Sequence, residues 1–258
     1  MGDVYIGTSG FSFDDWRGNV YPKNIKSYEM LPFYERELGF NTLEVNYTYY
    51  TLPSQKTMES FYKRTSDSFT FVVKGYKGIT HTRDGSFKRF CTAFKDGLKP
   101  LGNRLKAILF QFPYAFSPKD ENIRHLEAIR EEFNGYESVI EFRNERWLKD
   151  NYIDLLRDMS MGLCIVDEPK IKGLMPYYPA ITSRIGYFRF HGRNENWFNA
   201  PSEVRYDYLY SEEEIRGFIP SIKDISRKAD TTFVYFNNCH LGKAVKNAQR
   251  LKELLAED

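Results

Sequence analysis

Cysteine is scarce in this sequence of 258 residues, and its placement excludes two classes of small protein. The three cysteines, Cys91, Cys164 and Cys239, are far apart and odd in number, and none lies in a Cys-x-x-Cys pair. A disulfide framework or a zinc ribbon requires paired or closely spaced cysteines. Both are therefore excluded, and Cys164, which lies in an apolar run, is expected to be a small core residue.

Long apolar runs and a strong net charge are also missing. No apolar stretch approaches the roughly 20 residues that a membrane span requires. The opening Met-Gly-Asp-Val-Tyr-Ile lacks the basic and apolar regions of a signal peptide. We therefore expect a cytoplasmic protein with no membrane partner. The formal charge of +2 gives no general electrostatic case for nucleic acid, so a nucleic-acid partner would need a local basic patch.

The sequence does contain a regular alternation of predicted strands and helices. The predicted strands span residues 4–9, 42–46, 69–74, 106–112, 139–147, 162–167, 186–191 and 232–237, and the predicted helices span residues 27–38, 54–64, 87–98, 118–133, 152–159, 211–227 and 241–255. This α/β pattern is typical of a (β/α)₈ TIM-like barrel, which we predict as a single domain over residues 1–258. A doubly wound sheet would have a phosphate-binding glycine fingerprint after an early strand, and the first loop here is aromatic instead.

The fifth predicted strand, residues 139–147, carries an unusual pair of charges. Val139, Ile140 and Phe142 give it the apolar content of a buried strand. Glu141 and Arg143 are two positions apart, so on a pleated strand they share one face. Removing one partner of a buried ion pair costs roughly 3–5 kcal/mol. The two side chains therefore need either each other or a ligand.

Polar side chains recur near the ends of the predicted strands. In the second strand, for example, Glu44 and Asn46 share one face and Leu43 and Val45 share the other. Because the carboxyl ends of barrel strands form the active-site face, we expect a polar ring at that mouth. The predicted members are Thr8, Glu44, Asn46, Lys74, Gln111, Glu141, Arg143, Asp167, Arg189, His191, Tyr235 and Asn237. The alternative is a purely structural salt-bridge network, in which Gln111 and Asn237 would only satisfy backbone groups.

The composition of this ring favours a small polar ligand that bears a carboxylate or a phosphate, because an arginine fork binds such anions bidentately. The two arginines of the ring are the expected anion clamps. Glu141 or Asp167 could serve as a base, and Lys74 or His191 as an acid; the sequence does not rank them.

Aromatic residues make up 17 % of the chain, and several follow predicted strands, which predicts an aromatic pocket at the mouth. Trp16 is expected to contact the ligand. Each of these rings could instead pack against the barrel helices. The set comprises Phe11, Phe13, Trp16, Tyr47, Tyr49, Tyr50, Trp147 and Trp197.

No metal cofactor is predicted, because the sequence has no His-Glu-x-x-His motif and no EF-hand loop. Glu44, Glu141, Asp167 and His191 could still form an oxygen-rich site for Mg²⁺ or Mn²⁺, although the neighbouring cations would repel the ion. Two alternatives to an enzyme acting on a small anion therefore stay open. One is a metal-assisted phosphodiesterase or nuclease. The other is a non-catalytic module that captures a ligand or nucleic acid.

Taken together, the motifs resemble those of the YecE-like family, a group classed as a domain of unknown function. The matching segments are Gly7–Phe13 with Trp16 and Tyr21-Pro22, Leu43–Asn46 with Tyr49-Tyr50 and Pro53, Lys74 with Ile79–His81, Leu109–Pro113, Glu141–Arg143 with Trp147, Arg189–Gly192, and Tyr235–Asn238 with Ala244 and Asn247-Ala248. Two departures are Phe11, where the family usually has Trp, and Cys239-His240. The resemblance covers nearly the whole chain and implies a TIM barrel with no established reaction.

Overall fold

Eight strands form one parallel sheet in the computed structural model, which describes residues 2–82, 85–149, 151–198 and 200–257. The strands are β1 (Asp3–Thr8), β2 (Thr42–Val45), β3 (Thr70–Lys74), β4 (Leu105–Gln111), β5 (Ser138–Glu141), β6 (Gly162–Asp167), β7 (Ile185–Phe190) and β8 (Thr231–Phe236). Hydrogen-bonded neighbours follow the order β1-β8-β7-β6-β5-β4-β3-β2. This is the order in which the strands of a barrel follow one another.

The two end strands of this order meet, which nearly closes the barrel. Ser9, just past β1, forms a parallel bridge with Glu44 of β2. The amide of Gly10 donates a hydrogen bond of 2.9 Å to the Glu44 carbonyl. The predicted TIM-like (β/α)₈ architecture is confirmed.

Helices follow the strands along the chain and cover the outside of the sheet. They are α1 (Ser27–Arg36), α2 (Gln55–Arg64), α3 (Lys77–Thr80), α4 (Phe87–Leu98), α5 (Asp120–Glu132), α6 (Tyr152–Asp158), α7 (Ser202–Arg205), α8 (Glu212–Lys228) and α9 (Lys243–Glu257), with 3₁₀ turns at Asp14–Trp16, Tyr47–Tyr49, Lys99–Arg104, Glu145–Leu148 and His240–Gly242. Because the sheet lies between these helices and a filled interior, β6 and β7 are buried along their whole length. None of the described helices is both long and apolar enough to cross a membrane.

Three predicted elements differ from the structure. β5 ends at Glu141 instead of continuing to Trp147, because a 3₁₀ turn follows it. Asn144 caps this turn, and its side chain accepts a hydrogen bond from the Arg146 amide. Pro118 does not open α5, which starts at Asp120. The predicted loop over residues 193–208 contains the short helix α7.

Candidate functional site

The pairing register of the strands decides which side chains point into the barrel, because residues paired across parallel strands lie on the same face. Arg189 pairs with Tyr235 on one side and with Val166 on the other, and all three point inward. Asp167 pairs instead with Phe190, which packs against Phe218 of α8 at a ring distance of 4.2 Å. Asp167 therefore points outward, and its predicted place in the interior ring is wrong.

Asp167 forms part of a contact between the sheet and α8. Its carboxylate accepts hydrogen bonds from the Arg193 guanidinium at 2.8–3.2 Å and from the Tyr210 hydroxyl at 2.7 Å. Arg193 also pairs with Glu214 of α8 at 2.9 Å. These partners hold Asp167 away from the mouth, so it is no candidate for a base acting there.

Thr8 and Trp16 also lie outside the interior. Thr8 pairs with the outward Phe236, and its hydroxyl donates to the Gly10 carbonyl at 2.6 Å and contacts the Tyr34 hydroxyl of α1 at 3.0 Å. Trp16 is fully buried and donates its indole N–H to the Cys239 carbonyl at 2.7 Å. The structure places both in packing positions, where they cannot touch a ligand at the mouth.

Two more predicted residues are buried below the mouth. Tyr235 points inward, but its ring is completely buried and its hydroxyl lies 2.6 Å from that of Thr42. Trp147, one of the aromatic candidates, stacks on Phe142 at 4.1 Å and is also fully buried. Both therefore contribute to the core.

The centre of the barrel holds a completely buried ionic network. The Arg189 guanidinium, 1 % exposed, pairs with Glu44 at 2.7 Å and with Glu141 at 2.5 Å. Glu44 also accepts the Tyr187 hydroxyl at 2.5 Å. The Arg189 Nε has no hydrogen-bond partner among the described residues, but it is enclosed with the rest of the guanidinium. Arg189 therefore lies inside the barrel, as predicted, and its role as an anion clamp stays a prediction.

Arg143 connects this network to the mouth, although it lies two residues beyond the end of β5. Its guanidinium pairs with Glu141 at 2.6 Å and with Glu168 at 2.5 Å, and it contacts the His191 ring nitrogen Nε2 at 3.1 Å. Glu168 was missed from the sequence because Asp167 was taken as the inward residue. Cys164, which contacts Glu141, and Val166 are inward, and the same alternation would have selected Glu168.

The pKa values of the two carboxylates that pair with Arg143 are shifted in opposite directions. Burial opposes ionisation of Glu141, but Arg143 and Arg189 outweigh burial and hold the pKa of Glu141 well below its usual range. Burial raises the pKa of Glu168 to about 7, and the charge of Glu141 adds to this effect while Arg143 opposes it. Two carboxylates next to one guanidinium thus become one permanent anion and one group that changes its charge near neutral pH.

His191 is held as a neutral ring. It is fully buried, and burial together with the Arg143 charge keeps the pKa of His191 well below its usual value. Its nitrogen Nδ1 lies 2.9 Å from the Asn237 amide. Gln111, at the end of β4, donates its amide to the Phe112 carbonyl at 2.8 Å. A neutral imidazole cannot supply a proton as an imidazolium acid would, so the structure favours Glu168 for that role.

Lys74 ends β3 and is the cation of the interior without a carboxylate partner. No carboxylate in the described ranges lies within 4.0 Å of its ammonium, which sits 4.6 Å from the centre of the Tyr49 ring. Burial, followed by the charge of Arg189, lowers the pKa of Lys74 to about 7. Asn46, at the end of β2, has a buried amide oxygen with no hydrogen-bond partner among the residues that are described.

A cavity of about 210 Å³ opens at the mouth above this network. Arg143 and Gln111 reach it from the strand ends, and Trp197, Arg205 and Tyr206 close it from the segment between β7 and α8. The Trp197 ring lies 5.5 Å from the Arg143 guanidinium and 5.8 Å from that of Arg205. The remaining lining residues are Pro113, Tyr114, Leu174 and Phe198. Arg205 was missed because nothing in the loop sequence indicated that a helical turn would bring it over the mouth.

Within residues 2–82, 85–149, 151–198 and 200–257, no three histidine, cysteine or acidic side chains are grouped so as to hold a metal ion. The acidic side chains that were considered as ligands are already occupied. Glu44 and Glu141 pair with Arg189, and Asp167 pairs with Arg193 outside the barrel.

Comparison with known proteins identifies the family. The family model described as "Protein of unknown function DUF72" matches residues 5–258. The UPF0759 protein YunF of Bacillus subtilis is 29 % identical, over 98 % of this chain and 94 % of its own. A DUF72 family structure from Thermotoga maritima is 42 % identical, with a TM-score of 0.92 over 98 % of this chain and 99 % of that one. A DUF72 family structure from Enterococcus faecalis is 30 % identical, with a TM-score of 0.85 over 98 % and 95 %.

The resemblance read from the sequence motifs is thereby confirmed, since YecE-like and DUF72 denote the same family. With a family model that matches from residue 5 to the end of the chain and a shared barrel fold, the protein belongs to the DUF72 family of proteins of unknown function.

Proposed function

We propose that the protein binds a small ligand bearing a carboxylate or a phosphate in the cavity between Arg143, Arg205 and Trp197. The observation that carries this proposal is the lack of a carboxylate partner for the Arg205 guanidinium. No described carboxylate lies within ion-pair distance of its guanidinium, and its buried Nε has no hydrogen-bond partner among the described residues. A guanidinium that lines a cavity with an unmet donor is suited to an anion.

Arg143 supports the same site from below. Its two carboxylate partners hold it rigidly, and it lines the cavity with one edge. The anion clamp is thus Arg205 with Arg143, in place of the pair Arg143 and Arg189 expected from the sequence. The clamp comes from a strand end and from the segment over the mouth, so a bound anion would connect the two.

The size and lining of the cavity limit the ligand. At about 210 Å³ the cavity is smaller than the roughly 300–1,000 Å³ of pockets that take drug-sized molecules. Tyr114, Trp197, Phe198 and Tyr206 supply aromatic walls beside the two guanidiniums. We infer a ligand of few heavy atoms, with one anionic end and a compact apolar or planar remainder.

The metal-assisted and nucleic-acid alternatives have less support. A metal-assisted phosphodiesterase needs a ligand set for its ions, and the described residues offer no group of three suitable side chains. A nucleic-acid module would be expected to show an excess of basic residues, whereas the formal charge of the chain is +2.

Isothermal titration calorimetry with inorganic phosphate and with glyoxylate tests the proposal. A hydrogen bond to a charged group contributes about 1.5–3 kcal/mol, so Arg205→Met should weaken binding roughly 10- to 100-fold. The matched control is Arg227→Met, which removes the same charge from an exposed position at the far end of α8. Equal affinity of Arg205→Met and the wild type, or no binding of either anion to the wild type, would overturn the proposal.

A further inference from the structure

We propose that Lys74 forms an imine with a carbonyl group of the anion bound at the mouth, so that the ligand class is a small aldehyde or ketone bearing a carboxylate or phosphate. This step rests on the proposed anion site. Lys74 is suited to this step by its position, its lack of a carboxylate partner and the charges that surround it.

The position of Lys74 is that of a residue that can reach a ligand. It is the last residue of β3, and it pairs in register with Leu109 of β4, on the same inward face as Gln111. Its side chain is only partly buried, in contrast to the fully enclosed Glu44 and Glu141. Strand ends on this face are where barrels place the groups that act on a substrate.

The Tyr49 ring connects Lys74 to the cavity. The ring centre lies 4.6 Å from the Lys74 nitrogen. Burial raises the pKa of Tyr49, and Tyr50 and then Tyr206, which lines the cavity, add to that effect. His81 packs edge to face against Tyr49 at a ring distance of 5.1 Å. The amine therefore lies on the inward face of the barrel beside the Tyr49 ring, with no described carboxylate within ion-pair distance.

The surroundings shift the Lys74 amine toward its neutral form at physiological pH. Burial and the Arg189 charge lower the pKa of Lys74 to about 7, and burial and Lys74 lower the pKa of His81 to about 4. An unperturbed lysine is neutral in roughly one molecule in a thousand at pH 7, whereas Lys74 would be neutral in about half. The charged and titratable groups that face it are Glu44, Tyr49, His81, Glu141, Arg143 and Arg189. A desolvated lysine beside other cations is an activated amine nucleophile.

The reaction is balanced without an oxidant or reductant. The Lys74 nitrogen forms a bond to the carbonyl carbon, and the C=O π pair moves to the oxygen, which takes a proton that the nitrogen gives up. The hydroxyl then leaves as water with a second proton, and the nitrogen lone pair closes the C=N bond. One neutral amine, one carbonyl compound and one proton give one iminium ion and one water molecule. Glu168, with its pKa raised to about 7, can hold the proton required for the departure of water.

Reductive trapping in the full chain tests this inference. The protein is incubated with sodium cyanoborohydride and either glyoxylate or the uncharged glycolaldehyde, and the modification of each lysine is followed by peptide mass spectrometry. We expect glyoxylate to modify Lys74 at least 10-fold faster at pH 7.5 than the exposed Lys56 and Lys88. Between pH 7.5 and pH 9 the Lys74 rate should rise less than 3-fold, because its amine is already largely neutral. The rates at exposed lysines should rise more than 10-fold.

The variant Arg205→Met separates this inference from the anion site. In this variant the ratio of the Lys74 rates with glyoxylate and with glycolaldehyde should fall at least 10-fold relative to the wild type. If Lys74 reacts no faster than Lys56 and Lys88 while calorimetry still shows anion binding, the imine proposal is wrong and the proposed function stands. If calorimetry shows no anion binding and Lys74 has no preference for glyoxylate, the proposed function and this inference both fail.

Discussion

Arg189 shows most clearly how single residues organise the interior. It is completely enclosed, and its guanidinium bridges Glu44 of β2 to Glu141 of β5, on nearly opposite sides of the barrel. The bridge holds both carboxylates facing inward. It also supplies the charge that, after burial, lowers the pKa of Lys74. Arg189 therefore influences the mouth through the charged residues that face it.

Replacing Arg189 with Met should destabilise the fold by about 3–5 kcal/mol, because the change leaves the buried Glu44 without its cation and Glu141 with Arg143 alone. Urea unfolding followed by circular dichroism measures this loss. The control Arg216→Met removes an exposed arginine that pairs with Glu212 on α8, and it should change the unfolding midpoint little. An Arg189→Met variant as stable as the control would mean that the network does not hold the barrel together.

At the scale of the elements, the sequence predicted every strand to within one residue at each end except β5. It did so because the strands are compact apolar runs bounded by polar or turn residues. The direction of each side chain was harder to predict. In β6 the residues Leu163 to Val166 are all apolar, so no alternation shows which face is inward, and only pairing with Arg189 of β7 places Val166 inside and Asp167 outside.

Most of the interior ring was nevertheless predictable. A polar residue at an otherwise apolar strand end is seldom accidental, which is why the prediction succeeded. The predicted residues that lie inside are Glu44, Asn46, Lys74, Gln111, Glu141, Arg143, Arg189, His191 and Asn237. Arg205 could not be found this way. The position of Arg205 depends on the path of the predicted loop over residues 193–208, which local propensity does not determine.

The outward orientation of Asp167 gives a prediction at this scale. Asp167→Asn should weaken the contact between β6 and α8 and cost about 1.5–3 kcal/mol of unfolding free energy, because the bonds to Arg193 lose their charge. Affinity for phosphate or glyoxylate should stay within 2-fold of the wild type. Urea unfolding and calorimetry measure the two effects. The control Asp224→Asn lies on the exposed face of α8, and anion binding lost only in Asp167→Asn would show that this residue acts in the site after all.

At the scale of the whole molecule, the polar groups form levels along the barrel. Thr42 and Tyr235 are bonded deepest, the network of Glu44, Arg189 and Glu141 lies above them, and Arg143 reaches the mouth. The segment between β7 and α8 then closes the cavity with its aromatic and basic side chains. In the network the charges pair with one another, whereas at the top Arg205 and Lys74 have no carboxylate partner among the described residues, and Arg205 donates only to the Ala200 carbonyl at 3.1 Å. We therefore expect a ligand at the top.

Fluorescence of the three tryptophans tests this central claim directly, because Trp16 and Trp147 are fully buried and Trp197 lines the cavity. Phosphate and glyoxylate should each cause a saturable change in the wild-type emission. The change should vanish in Trp197→Phe, which keeps an aromatic ring in place. A response that persists unchanged in Trp197→Phe, or a wild-type emission that neither anion alters, would contradict an anion site between Arg143, Arg205 and Trp197.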